Sequence, residues 1–168
     1  MPIKIYGEEV LRKISKDVNN IDGKLVDLLK STVLTMRNNR GLGLAANQVG
    51  FEKRFFAIDL SYFDVVKKPI VIVNPQIADV SDTFIMGEEG CLSFPGLYQE
   101  LERPDRAAIQ GLDLDGNEII VEGKGLMARV LLHELDHLDG KLFIDHLSKL
   151  KRGMIRGRLK KIKAGEKV

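Results

Sequence analysis

The stretch 131-LLHELDHLDG-140 places His133 and His137 four residues apart, with Glu134 directly after the first. Residues i and i+4 of a helix stack on one face, so both imidazoles can reach one ion. Glu134 is rotated by about 100° from His133 at 3.6 residues per turn. It can therefore lean over the open side of that ion and act as a base without ligating it. The plain alternative is two hydrogen-bonded histidines on a core helix, which leaves Glu134 without a role. Two ligands do not hold a catalytic metal, so a third donor must come from elsewhere in the chain.

Several residues could supply it. The one glutamate downstream of Glu134 is Glu166, inside a basic stretch near the end of the sequence. A longer zinc-protease pattern, H-E-x-x-H-x-x-G-x-x-H, is met at His133, Glu134, His137 and Gly140 but fails at Phe143, which cannot bind metal. Asp139, Asp145 and His146 remain downstream, and Cys91 stands upstream in 88-EEGCLSFPG-96. A thiolate is a strong ligand for a borderline divalent ion, and Gly90 beside it lets backbone approach closely. Cys91 with two histidines leaves one position free, which is the catalytic arrangement. A closed structural site would need His146 as a fourth ligand and would have no use for Glu134.

The Gly-rich 41-GLGLAANQVG-50 invites a second reading, since GLGLAA satisfies G-x-G-x-x-G/A and Asp59 follows at a suitable interval. A dinucleotide site needs a strand before that turn and a helix after it, and here the order is reversed. What the loop does offer is flexible backbone beside Gln48, whose side-chain amide is a neutral donor suited to an oxyanion.

These residues must be positioned by elements that the pattern outlines. Asp22 caps a helix running to about Arg40, followed by strands at 54-RFFAIDL-60 and 70-IVIVNP-75, the second stopped by Asn-Pro. Residues 83–96 read as extended chain with tight turns, and 106-RAAIQGLDL-114 with 118-EIIVEG-123 as a hairpin across Asp115-Gly116-Asn117. The helix over 125–139 is apolar on most faces, so it is expected to be buried, with Gly140 as its stop. A last, basic helix covers about 147–163. The fold class expected is α+β: one domain over 1–168, mostly antiparallel strands around the central HExxH helix.

GLGLAANQ (41–48), EGCLS (89–93) and HELDH (133–137), in this order and spacing, resemble the three signature motifs of the peptide deformylases. The resemblance implies hydrolysis of the N-formyl group from the initiator formyl-methionine of new polypeptides. It implies one divalent ion, Fe(II) in the cell with Zn, Ni or Co as substitutes, held by Cys91, His133 and His137. Glu134 would take a proton from water at the metal, while Gln48 and the backbone N–H of Leu92 would stabilise the oxyanion. Gly43, Leu44, Gly90, Arg129 and Val130 would contact substrate, with Tyr98 along the peptide path. Asp136 would support the site, paired with Arg103. Asn47 stands at a variable place in its motif. Arg129 has a plainer reading too: its stem lies on the apolar helix and its head reaches water.

The whole chain agrees with a soluble enzyme. Of its 168 residues 44% are hydrophobic and 30% charged, with a single cysteine and hence no internal disulfide. No run of about 18 apolar residues exists, and MPIKIYGEEV lacks a signal core, so a cytoplasmic location is expected. The net charge of +2 is unevenly spread: residues 146–168 hold nine Lys/Arg against one acid, and the remainder holds 17 against 23. Such a tail suits an RNA-rich surface, and the family resemblance implies docking at the ribosome; a solvated helix face is the ordinary alternative. Two rival functions use the same residues: an HExxH zinc peptidase, and a non-catalytic ribosome- or RNA-binding protein with a structural metal.

Overall fold

Helix α2 (Leu126–Leu138) is buried along nearly its whole length, as its apolar faces require. It starts after Gly125 and ends in a turn where the Gly140 N–H reaches His137 O (3.1 Å) and the Lys141 N–H reaches Asp136 O (2.9 Å). Gly140 takes a φ of +69°, the left-handed conformation that such a helix stop needs. The computed structural model of the chain describes residues 1–63, 68–166 and 168.

Around α2 the strands form two antiparallel sheets. The larger has the order β1 (Gly43–Ala45), β2 (Phe55–Asp59), β3 (Pro69–Val80), β6 (Arg106–Leu112), β7 (Glu118–Lys124), and β4 (Phe84–Gly90) pairs with β5 (Tyr98–Pro104) alone. Helix α1 (Gly23–Asn38) is capped by Asp22, whose carboxylate accepts from the Leu25 N–H at 2.8 Å. α1 and α2 both pack on β1 and β2, and α2 also meets β5, β6 and β7.

Two buried clusters result. One joins α1, α2 and the large sheet through Leu29, Met36, Phe55, Phe56, Ile72 and Leu131. The other gathers Leu11, Phe94, Leu97, Phe143, Ile144, Ile155, Leu159 and Ile162.

The expected α+β architecture stands, with two corrections. Strand β3 does not stop at Asn74-Pro75. It runs through them with a register shift between Val73 and Gln76, so Pro75 is never asked for a ladder N–H. Asn74 adopts a φ of +51°, and its side chain accepts from the Val18 N–H (2.8 Å) and donates to Val18 O (2.9 Å). The basic tail is two helices rather than one, α3 (Lys149–Met154) and α4 (Arg156–Lys163). They meet at Ile155, between Gly153 and Gly157, where ψ opens to about 1°. Burial of Ile155, Leu159 and Ile162, at roughly 1.5–3 kcal/mol each, sets this geometry; α4, at eight residues, is too short to persist alone.

Candidate metal centre and active-site cleft

One turn of α2 separates His133 from His137, and their ring centroids lie 4.9 Å apart. Cys91 follows the last residue of β4 and brings its Sγ to 3.2 Å from His137 Nε2. Ligand atoms of Cys91, His133 and His137 all lie within 4.8 Å of one another; among the described residues no other group of three such donors is found.

The surroundings fit an ion held there. The Glu89 carboxylate takes His133 Nδ1 at 2.5 Å, and since a carboxylate accepts, Nδ1 carries the hydrogen and Nε2 is left to ligate. Cys91 Sγ receives Gln48 Nε2–H at 3.3 Å and the Ser93 N–H at 3.4 Å. The other candidates for third or fourth ligand are engaged elsewhere. Asp139 holds Arg54 (2.8 Å), Asp145 holds Arg12 and Arg152, and His146 Nε2 lies on Asp136 at 2.7 Å. The closed site completed by His146 is therefore not formed.

Glu134 is 3% exposed and its Oε2 has no hydrogen-bond partner. Burial pushes its carboxyl up to about 7; the charge of His133 and the Ala45 N–H pull the other way, and the charge of Glu89 adds to the rise. Gly43 on β1 lies against it: a Cβ there would meet Glu134 Cγ and Cδ at 2.7 Å. Gln48 sits in the 3₁₀ turn Ala46–Val49 that follows β1, buried, with Oε1 accepting from the Ala45 N–H (2.9 Å). That bond fixes the amide, so Nε2 faces Ser93 Oγ (3.2 Å) and Cys91. These groups share a cleft of about 540 Å³ whose walls include Gly43, Gln48, Leu92, Val130, His133 and Glu134.

A model of the polypeptide deformylases matches residues 1–153. The chain belongs to the polypeptide deformylase family. It is 46% identical over 160 residues to the peptide deformylase of Thermodesulfovibrio yellowstonii, covering 95% of this chain and 96% of that one. Solved relatives share the fold. The peptide deformylase of Legionella pneumophila has 42% identity and a TM-score of 0.88, covering 96% and 94% of the two chains. Arabidopsis thaliana peptide deformylase 1B has 34% identity and a TM-score of 0.92, covering 98% and 91%.

Around the cleft the remaining expected positions divide. Gly90 also lines the cleft, and a Cβ on it would strike the Tyr98 ring, with Cδ1 at 2.5 Å. Leu44 does not line it: its side chain is fully buried in the core, which leaves only its β1 backbone for a substrate. Arg129 does not send its head to water. It is 4% exposed, donating to Leu101 O and Ile85 O (3.1 Å each) and to Glu89 (3.2 Å). Asp136 and Arg103 pair at 2.6 Å as expected.

Sequence reasoning gave no role to Glu89 or Asn47. Burial raises the Glu89 carboxyl, but hydrogen bonds from His133 and Arg103 outweigh it and hold the group well below the usual range. The signal was available, because a ligating imidazole needs an acceptor for its other nitrogen and EGCLS begins with one. Asn47, fully buried, donates to the backbone carbonyl of His137, a contact between distant segments that local pattern does not reveal.

Proposed function

We propose that Cys91, His133 and His137 hold one divalent ion, Fe(II) in the cell, and that Glu134 is the base that removes the formyl group from formyl-methionyl chains. A thiolate with two imidazoles suits Fe(II) and also accepts Zn, Ni or Co. When bound, the ion supplies Lewis-acid polarisation of the formyl carbonyl and acidifies water. Glu134 takes the proton as water adds to the formyl carbon and delivers it to the departing amine, so that the C–N bond breaks to formate and a free N-terminus. Gln48 Nε2 and the Leu92 N–H donate to the developing oxyanion. Gly43 and Gly90 offer close backbone, and Val130 an apolar wall for methionine. Arg129 lines the cleft and also braces Glu89.

The observation that carries this reading is Glu134: a buried carboxylate oxygen without a partner, in one cleft with Cys91 and His133. The test is formate release from a formyl-Met tripeptide by anaerobically purified protein loaded with Fe(II) or Ni(II). Glu134→Ala should lower the rate by about 10²–10⁴-fold with metal content unchanged. Release at the parental rate would remove Glu134 from the mechanism, and cleavage of internal peptide bonds would favour the peptidase.

A cytoplasmic site of action belongs to the same proposal. Separately, no helix among the described residues is long and apolar enough to cross a membrane. The basic tail is assigned to ribosomal RNA. Lys149, Arg152, Arg156, Lys160 and Lys163 line a concavity of about 430 Å³, while Ile155, Leu159 and Ile162 face the core and Leu150 and Met154 are exposed. Deleting the tail would uncover that core, so charge reversal at Lys149, Arg156 and Lys160 is the better variant. Pelleting with ribosomes should weaken steeply with salt for the parent and be lost at low salt for the variant. Equal pelleting at every salt concentration would refute the assignment.

A further inference from the structure

One polar chain leaves the site and reaches the surface. It begins at His133 Nδ1 on Glu89 Oε1. Glu89 is gripped by Arg103 through Nη2 (2.7 Å) and Nε (3.1 Å), and Arg103 Nη1 donates to Asp136 Oδ2 at 2.6 Å. The same Oδ2 lies 2.7 Å from His146 Nε2, which also stands 3.2 Å from Arg103 Nη1. Glu89, Arg103 and His133 are buried, whereas the His146 side chain is 36% exposed, at the end of the 3₁₀ turn Phe143–His146 where the basic tail starts.

We propose that His146 is a positioning residue for His133, acting through Asp136, Arg103 and Glu89. This rests on the reading of Cys91, His133 and His137 as the metal ligands. Asp136 accepts, so His146 Nε2 carries the hydrogen and donates. Arg103 must serve two carboxylates at once, Glu89 with one edge of its guanidinium and Asp136 with the other. His146 fixes the outer carboxylate, which fixes the plane of the guanidinium and so the two Glu89 oxygens. One of these oxygens sets the rotation of the His133 ring. Without His146, water reaches Asp136, the outer anchor of Arg103 loosens, and the imidazole gains freedom about its own axis. Buried charges hydrogen-bonded in series respond together, so a change at the rim is felt at the ligand.

The test follows the ion rather than turnover. Parent, His146→Ala, His146→Leu and His146→Gln are loaded with Co(II). The visible d–d band is recorded, and release to excess EDTA is timed. Loss of a group directly holding a metal ligand costs about 10–100-fold in affinity; at three links' remove, about threefold to tenfold faster release is expected for the alanine variant, with a shifted band. His146→Leu keeps bulk without a donor and should behave like alanine even where alanine packs poorly. His146→Gln returns a donor to Asp136 and should restore both readings. Parental release and band in both the Ala and Leu variants would overturn the proposal, as would a Gln variant no better than Leu. A parent that takes up no stoichiometric Co(II) would sink the ligand assignment and this proposal with it.

Discussion

Gly43 shows how a residue without a side chain can govern one that has chemistry. Glu134 occupies the space that a Cβ at Gly43 would need. Gly43→Ala should therefore displace the base, and displacement of a reacting group by about 1 Å costs on the order of 10²-fold in rate. Formate release should fall by that much while metal content stays at one ion per chain; loss of the ion instead would mean that the ligands had moved. Of the residues proposed as ligands and base, His133, Glu134 and His137 were legible from type and spacing along one helix, whereas Cys91 stood among several candidates until the motif resemblance singled it out. Leu44 and Arg129 show what a motif leaves open. A motif says that a residue is near the site, but not whether its side chain or its backbone faces it. Arg129 could have been recognised only from Glu89, Leu101 and Ile85, which are distant in sequence and supply its acceptors.

Among the elements, helix α2 and the β6–β7 hairpin were readable because their determinants are local: apolar faces, a glycine stop and an Asp-Gly-Asn turn. Strand β3 was cut short on paper because proline lacks the N–H that a central ladder needs. The chain resolves this by skipping a register step at Asn74-Pro75 and tying Asn74 to Val18, 56 residues away. Asn74→Ala removes two hydrogen bonds and leaves a side chain less tolerant of positive φ. A loss of about 2–3 kcal/mol is expected from the urea unfolding midpoint, with kcat/KM for formate release unchanged. A loss under about 0.5 kcal/mol would mean that the bulge holds itself. The tail read as a single helix because its basic pattern is continuous, and the break at Ile155 answers to the core beneath it.

At the scale of the molecule, antiparallel strands were foreseeable but not their order: β3 lies beside β6, and β4–β5 stand apart. Such pairings join residues far apart in the chain and have no local signature. Asp145 is a long-range tie of the same kind, holding Arg12 from the N-terminal segment and Arg152 from α3. Burial raises its carboxyl, but Arg12, the Leu142 N–H and Arg152 outweigh this and keep it below the ordinary value of 3.8. A depressed carboxyl stabilises the fold above its unfolded pKa and loses that contribution as pH falls through the folded value, because the unfolded chain binds the proton more readily. Asp145→Asn should thus cost about 1–2 kcal/mol near pH 7, and the gap to the parent in urea midpoint should close below about pH 4; a gap constant with pH would refute this. The proposed metal centre spans the molecule as well. His133 and His137 ride on the helix of one core, while Cys91 packs against the other. An ion bound there joins the two halves, and it favours the folded chain by about 4 kcal/mol when present at a thousand times its dissociation constant. A cell starved of that metal would hold not an idle enzyme but a fragile one, so silencing and clearance of the protein would follow from the same scarcity.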